Sequence, residues 1–305
     1  MKLALHITNC DYLSDYLDMG VEMFIVAGEY GTYTTEHFSL EEIEALQKRV
    51  KHLYVMVNGL YDEHELDGLF AHIDALSGLS IDGLIFQDFG VLEYVREKGY
   101  HFDMMYNPET LNTNPNTLNT LSTAGVTSAF VANVIPLAEQ LDIKHHTNIP
   151  LMLQIAGVQY MMSSKRALIS NYEEASGKVL NHQPGVLTIK PQGLDFTCYA
   201  YEDERGTTIY SQTRLMMLDL LKQVRDFDYL YIETLFMSPS EALETVHAYS
   251  DTLAHLDDLL YGKYVKEYEQ LLHQLNIPMD RGFIDEATIY HLEDVKRRDA
   301  SERNQ

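Results

Sequence analysis

Residues 83–98, GLIFQDFGVLEYVREK, place a short apolar run directly before a helical pattern. Gly83–Phe86 is continuously apolar, as is typical of a strand that is covered on both faces. Val91–Lys98 carries apolar residues at helical spacing, and Gly99 provides a stop signal after it. The stretch therefore predicts one strand–helix unit of a parallel α/β sheet.

The same alternation recurs along the rest of the chain. Seven further apolar runs of strand length are separated by helical patterns, some of which begin at a capping box such as Ser39-Leu40-Glu41-Glu42. The seven runs are Leu3–His6, Met23–Val26, Leu53–Val57, Phe102–Tyr106, Ser128–Ala132, Pro150–Ile155 and Tyr229–Ile232. Eight strands that alternate with helices predict an α/β fold of the (β/α)8, TIM-barrel-like type.

The interval between the seventh and eighth predicted strands is much longer than the others. We expect there a helix over 161–174, strands at Val186–Ile189, Asp195–Tyr201 and Thr207–Tyr210, and a helix over Leu215–Arg225. The strands predict a β-rich insertion at about 178–212, on the C-terminal face of the barrel. Residues 1–250 then form the barrel, and residues 251–305 form a C-terminal helical extension.

The composition limits the classes of partner. The 305 residues carry a formal net charge of −24, which repels phosphate backbones and disfavours direct nucleic-acid binding. No apolar run is long enough to cross a membrane, and the first residues do not resemble a signal peptide. The two cysteines, Cys10 and Cys198, do not make a disulfide framework, so we expect a cytoplasmic protein.

Polar residues follow the predicted strands at the points where they end. In a barrel of this type these positions converge on one site at the C-terminal face. The candidate ligand-binding residues are Glu29, Asn58, Gln87, Asp88, Asn107, Glu109, Gln154, Arg166 and Glu233, with Asn133 and Lys165 beside them. For each of them the alternative to ligand binding is a purely structural role, because polar residues at strand ends also cap helices and close turns.

The candidate set contains several carboxylates. Glu29, Asp88 and Glu233 around one opening would repel one another unless a cation or Arg166 lay among them. The pattern therefore predicts either perturbed proton affinities or a small anionic ligand held by Arg166. The sequence contains no G-x-S-x-G, H-E-x-x-H, Walker A or G-x-G-x-x-G motif, and we predict no metal site.

Several of these strings resemble peptidase family U32, the collagenase-like peptidases, over residues 20–245 or so. The matching segments are Gly20–Glu29, Tyr54–Asn58, Ile85–Leu92 with its Q-D-x-G-V-L string, Gly157–Ser170, Gln183-Pro184, and Ile232-Glu233 followed by Met237-Ser238-Pro239. The Q-D-x-G-V-L string is the most specific of them. The resemblance implies the same barrel and places the family's motifs at its strand ends.

The chain departs from the family at its cysteines. The family's cysteine positions are occupied here by Tyr160, Ala167, Asn181, Gly185 and Met216. In well-studied relatives such cysteines hold a [4Fe–4S] cluster that serves oxygen-independent hydroxylation. This chain has two thiols, too few for that cluster, so we expect no iron–sulfur cofactor and no other cofactor. It resembles the short, cysteine-poor YrrN-type branch of the family.

That resemblance implies that the protein is a factor in 5-hydroxylation of the tRNA wobble uridine. The chain would act with a cluster-bearing paralogue and would contact tRNA only indirectly. Two alternatives stay open. In one, the protein is a peptidase or another hydrolase, and Glu29, Asp88 and Glu233 bind a metal or act as acid and base. In the other, it is a binding subunit without turnover. Whether the chain itself catalyses is not decided by its sequence.

Overall fold

The computed structural model describes residues 1–31, 36–180, 186–190, 197–275 and 278–285. Its strands are β1 (Lys2–His6), β2 (Met23–Ala27), β3 (His52–Val57), β4 (Gly83–Phe86), β5 (Asp103–Tyr106), β6 (Ser128–Phe130), β7 (Leu151–Ser164), β8 (Val186–Ile189), β9 (Cys198–Asp203), β10 (Gly206–Met216), β11 (Tyr229–Ile232) and β12 (Met279–Asp280). Strands β1 to β7 and β11 pair in parallel, and β11 contacts both β1 and β7. This pairing closes an eight-stranded barrel, so the predicted fold is confirmed.

Most of the helices follow barrel strands on the outside, one follows the part of β7 that extends beyond the barrel, and the last follows another helix. The helices are α1 (Leu13–Asp18), α2 (Leu40–Gln47), α3 (Leu66–Ser77), α4 (Phe89–Lys98), α5 (Pro115–Thr123), α6 (Leu137–His146), α7 (Leu168–Ser176), α8 (Pro239–Ala254) and α9 (Tyr261–Gln274). The capping box at Ser39 forms as predicted, Asn114 and Ser238 also cap their helices, and Gly99 ends α4 in the left-handed conformation. In the described part of the chain, no helix is both long and apolar enough to cross a membrane.

Two hydrophobic clusters lie on opposite faces of the barrel strands. The outer cluster, with Leu5, Phe24 and Val55 among its members, packs against the helices. The inner cluster fills the barrel and consists of Ala4, Met23, Ile25, Tyr54, Met56, Ile85, Met105, Phe130, Met152 and Tyr231. Side chains along each strand alternate between these clusters, as the two-residue period of a strand requires. Burial on both faces explains why the sequence shows continuous apolar runs.

The long interval after the seventh barrel strand is the β-rich insertion that was predicted. Strand β7 continues beyond the barrel and pairs antiparallel with β10, which pairs with β9, and β9 pairs with β8. The expected strand Val186–Ile189 is confirmed, and Thr207–Tyr210 lies within β10. The expected strand Asp195–Tyr201 overlaps β9 at its C-terminal end, and its first two residues, 195 and 196, lie outside the described residues.

Two predicted helices are wrong in part or in whole. The helix over 161–174 begins only at Leu168, because the residues up to Ser164 continue β7. The helix over Leu215–Arg225 is replaced by the end of β10 and a 3₁₀ turn at 218–220. In both places pairing between β7 and β10 overrides the local helical pattern. The predicted domain boundary at residue 250 falls within α8 and stays a prediction.

Gly157 marks the point where β7 leaves the barrel. Its φ is +97°, and a Cβ at this position would overlap the carbonyl oxygen of Glu233. A glycine is needed here both for the backbone conformation and for the close approach. The backbone N–H of Glu233 also donates to the carbonyl oxygen of Ala156 at 3.0 Å. The point where β7 leaves the barrel is thus hydrogen-bonded to the residue that follows β11.

Candidate functional site

The C-terminal end of the barrel encloses a narrow cavity of about 50 Å³, which has room for a few water molecules. Its lining consists of His6, Met56, Asn107, Glu109, Phe130, Val131, Asn133, Gln154, Val158, Tyr160, Tyr210, Tyr231, Glu233 and Leu235. Met56, Phe130 and Tyr231 also belong to the inner barrel cluster, so the cavity lies directly on top of it. Tyr160 and Tyr210 belong to the insertion strands β7 and β10, which means that the insertion contributes part of the wall.

Strand alternation explains why polar groups point into this cavity. On β1, His6 lies two residues beyond Ala4, which is packed inside the barrel. After β11, Glu233 lies two residues beyond Tyr231, which is also an interior residue. Because side chains two residues apart share a face, both polar groups continue the inward-facing rows. The cavity is the polar upper layer of the barrel interior.

Glu233 is held by three hydrogen bonds. One of its carboxylate oxygens lies 2.5 Å from Nδ1 of His6 and accepts the backbone N–H of Leu235 at 2.8 Å. The other oxygen accepts the hydroxyl of Tyr231 at 2.6 Å. Burial raises the pKa of Glu233, but the interaction with His6 and the hydrogen bonds from His6, Tyr231 and Leu235 outweigh it, so the pKa lies below its ordinary value. Glu233 is therefore the ionised carboxylate of the cavity.

Glu109 lies in the same cavity, but its pKa is shifted in the opposite direction. Burial and, to a smaller degree, the charge of Glu233 raise the pKa of Glu109 to about 8. The side-chain amides of Asn58 and Asn107 donate to one of its oxygens at 3.1 and 3.3 Å. Its backbone is left-handed, with a φ of 58°, an uncommon conformation for a residue other than glycine. With a pKa of about 8, Glu109 is largely protonated at neutral pH.

At neutral pH, Glu109 is consequently largely protonated and Glu233 is ionised. A carboxylic acid and a carboxylate in one cavity can donate and accept a proton respectively, which is the arrangement that acid–base chemistry needs. The hydroxyls of Tyr210 and Tyr231 stay protonated, because burial and the nearby carboxylates raise their pKa well above the ordinary value. The cavity thus offers proton donors and acceptors that are largely shielded from bulk water.

Asn133 and Gln154 form an amide pair at the side of the cavity. The Asn133 amide donates to Oε1 of Gln154 at 2.9 Å. Nε2 of Gln154 donates to the carbonyl oxygens of Ala156 and Val158, at 3.2 and 2.7 Å, where the pairing of β7 with β11 shifts register. Gln154 therefore stabilises an irregular piece of backbone. Oδ1 of Asn133 is buried and has no hydrogen-bond partner among the described residues.

The structure brings together some of the predicted site residues and separates others. The cavity is lined by Asn107, Glu109, Gln154 and Glu233. Asn58 donates a hydrogen bond to Glu109, and Gln87 donates one to the carbonyl oxygen of Asn58, which helps to hold Asn58 in place.

Three other predicted residues have different environments. Glu29 and Arg166 are exposed and do not line the cavity, and Asp88 caps α4 by accepting the backbone N–H of Gly90 at 2.7 Å. The expected ring of Glu29, Asp88 and Glu233 around Arg166 is therefore not formed. The carboxylates that do meet are Glu109 and Glu233.

Lys165, which follows the insertion strand, has a structural contact. Its Nζ binds the carboxylate of Glu65 at 2.6 Å and the carbonyl oxygen of Leu60 at 3.2 Å. Asp62, His64 and Glu65 are the described residues whose spacing resembles a metal-ligand set. The ammonium group of Lys165 lies against Asp62 and Glu65 and supplies the positive charge there.

The cysteine positions of the family have no thiolate here. Tyr160 lines the cavity, Ala167 precedes α7, and Met216 ends β10. Asn181 and Gly185 lie outside the described residues. The chain's own two thiols, in the loop after β1 and in β9, do not provide the four thiolates of a [4Fe–4S] cluster. The residues present do not fit that group.

Three residues of the cavity, His6, Tyr231 and Tyr210, were not predicted from the sequence. His6 and Tyr231 lie within their strands, whereas the predicted site residues were taken mainly from positions beyond the strand ends. The signal for His6 and Tyr231 is the two-residue period: each is a polar group on the inward-facing row of a barrel strand. Tyr210 reaches the cavity through the long-range pairing of β10 with β7, for which the local sequence contains no signal.

Comparison with known proteins agrees with the resemblance in the sequence. The family model described as Peptidase family U32 matches residues 29–292. The tRNA hydroxylation protein P2 of Bacillus subtilis (strain 168) is 25% identical over 291 residues, which cover 90% of this chain and 94% of that protein.

Among solved structures, similarity is found to the U32 peptidase Mk0906. The TM-score is 0.49 at 14% identity, covering 78% of this chain and 94% of that one. Phosphoribosyl anthranilate isomerase from Thermus thermophilus has a TM-score of 0.46 at 9% identity, covering 84% of this chain and all (100%) of that one.

Proposed function

Because the chain belongs to peptidase family U32, we propose that it is a factor in tRNA hydroxylation and serves 5-hydroxylation of the wobble uridine. The observation that carries this proposal is its similarity to the tRNA hydroxylation protein P2. That similarity spans 90% of this chain and 94% of the relative, so it involves the whole protein rather than one shared module.

The proposed role is that of a ligand-binding subunit which works with a cluster-bearing paralogue. The cavity is small, polar and enclosed, which suits a small molecule better than a strand of RNA. Hydroxylation is an oxidation, and a chain with two thiols leaves the iron–sulfur chemistry to its partner. A net charge of −24 favours a more basic partner and an indirect contact with tRNA. We expect this work to take place in the cytoplasm.

Deletion of the gene tests the proposal. In a strain without a redundant pathway, we expect 5-hydroxyuridine-derived nucleosides in tRNA to fall strongly, as measured by mass spectrometry of digested tRNA, and to return with the wild-type gene. Unchanged nucleoside levels in the deletion strain contradict the proposal. Affinity purification of the chain from its native cell tests the partner, and recovery without an iron–sulfur paralogue contradicts that part.

A hydrolase is the second candidate, favoured by one specific observation. A protonated Glu109 and an ionised Glu233 share one cavity, as acid and base do in hydrolytic sites. Digestion of gelatin by the purified protein, with and without a chelator, separates the candidates. Activity that disappears in both Glu109→Gln and Glu233→Gln supports the hydrolase. Gelatin that stays intact supports the ligand-binding subunit.

A further inference from the structure

The carboxylate of Glu233 is already occupied by its neighbours. It accepts Nδ1–H of His6, the hydroxyl of Tyr231 and the backbone N–H of Leu235. Its oxygens are therefore poorly placed to bind a ligand as well. In this geometry the carboxylate orients the His6 ring and fixes which of its nitrogens carries hydrogen.

The opposite edge of the His6 ring is free. The histidine is 1% exposed and lines the cavity, yet its Nε2 has no hydrogen-bond partner among the described residues. The hydroxyl of Thr234 donates to the carbonyl oxygen of His6 at 2.8 Å, so the backbone is held in place as well. A buried polar atom without a partner calls for an explanation, and a ligand that binds to it provides one.

We propose that His6 is the proton-accepting residue of the cavity and that Glu233 positions it. With hydrogen on Nδ1, the lone pair of Nε2 accepts an N–H or O–H group of the ligand, as the histidine of a carboxylate–histidine pair does. If the proton is transferred, it moves to Nε2 and the electron pair stays on the ligand. The carboxylate of Glu233 then lies next to the imidazolium that forms.

The lining of the cavity indicates the class of ligand. It contains two glutamates, and the described lining residues include neither lysine nor arginine, so an anionic ligand would be repelled. The protonated Glu109 can donate to a carbonyl oxygen, and Oδ1 of Asn133 is a second free acceptor. The ligand is therefore a small uncharged amide or imide, in which an N–H donor lies beside a carbonyl oxygen. This inference deepens the proposed function and rests on it only in its cellular test.

The direct test is nitrogen NMR of the full chain labelled with ¹⁵N-histidine. The His6 signals are identified by their loss in His6→Asn, whose amide keeps a donor near Glu233 but removes the Nε2 position. We expect hydrogen on Nδ1 and a lone pair on Nε2. We further expect acetamide, an uncharged amide of the same size as acetate, to shift the Nε2 signal and acetate to leave it in place. Hydrogen on Nε2 alone, or a shift with acetate and none with acetamide, overturns the proposal.

The cellular test uses the deletion strain and a matched histidine. His72 in α3 is also buried with an unpartnered Nε2, but it does not line the cavity. We expect His6→Asn to reduce hydroxylated nucleosides in tRNA at least about tenfold, because loss of a proton-transfer group typically costs about 10²–10⁴-fold in rate. We expect His72→Asn to restore them. A wild-type gene that fails to restore them counts against the proposed function. If a stably folded His6→Asn variant restores them, the proposed role of His6 is contradicted but the proposed function of the protein is not.

Discussion

The lower and upper halves of the barrel interior are built from the same rows of side chains but differ in chemistry. The lower half is filled by residues such as Met23, Ile25 and Met105, which pack without polar partners. The upper half continues these rows with His6 and Glu233 and encloses a cavity. Close packing stabilises the fold, whereas buried ionisable groups cost stability and are retained where they have a function. Substitutions in the lower half should therefore impair stability, and substitutions in the upper half should impair function.

The largest effect is expected in the lower half. Ile25 is fully buried in the inner cluster, so Ile25→Ala removes apolar contacts and leaves a cavity. We expect the free energy of unfolding to fall by about 2–5 kcal/mol, and by about 0.5–1.5 kcal/mol in the control Ile25→Val. Urea unfolding followed by circular dichroism measures both. Similar losses in the two variants would show that the lower half is not tightly packed.

The next largest effect concerns the pH dependence of Glu109. The pKa is about 8 in the folded protein against an ordinary value of 4.5, so between these values the folded state binds more protons than the unfolded state. Stability from this group is therefore present at low pH and declines as the pH rises from about 4.5 to about 8, by no more than about 5 kcal/mol because the side chain is partly exposed.

Glu109→Gln removes this proton-binding group and keeps its shape. Its unfolding free energy, measured in urea at pH 5, 7 and 9, should decline less with pH than that of the wild type, and the variant should be the more stable protein at pH 9. Parallel pH profiles for the two proteins would mean that Glu109 is not buried as described.

A somewhat smaller effect is expected at the junction between barrel and insertion. Gly157→Ala adds a methyl group where the Glu233 carbonyl oxygen lies and imposes a strained φ. We expect a loss of about 1–3 kcal/mol in the free energy of unfolding. We also expect low levels of hydroxylated nucleosides in tRNA, because Glu233 is displaced. Gly177→Ala is the control, since its φ is also positive but its Cβ position is open. Equal losses in the two variants would indicate that backbone conformation alone matters.

The smallest effect is expected at Arg166. The side chain is exposed and lies outside the cavity lining, so Arg166→Ala should change the free energy of unfolding by no more than about 0.5 kcal/mol. The variant should also restore hydroxylated nucleosides in the deletion strain. A loss of function with unchanged stability would restore the interpretation of Arg166 as an anion clamp, or would show that it contacts the partner.

The barrel was predictable because its signals are local. Each strand is an apolar run, each helix begins at a cap, and the convergence of the strand ends follows from the topology. Asn107, Glu109 and Glu233 were found in this way. The sequence pattern cannot show that Glu29 points to solvent after β2, since one residue of difference in a loop changes the direction of a side chain.

The rest of the site depends on contacts between distant segments. His6 meets Glu233 across 227 positions in the chain, and the tyrosines of the insertion reach the cavity through the pairing of β7 with β10. The unusual proton affinity of Glu109 arises from its burial beside Glu233, which is a property of the folded protein. Local patterns contain none of this information.

We infer that the cavity at the C-terminal end of the barrel is the functional site. A matched pair of glutamates tests this inference, Glu233→Gln inside the cavity and Glu29→Gln at an exposed strand end. Each variant is the only copy in the deletion strain, and 5-hydroxyuridine-derived nucleosides are quantified in its tRNA. We predict that Glu29→Gln restores the wild-type level and that Glu233→Gln, present at the same protein level, does not. Full restoration by Glu233→Gln would show that the cavity is not the functional site.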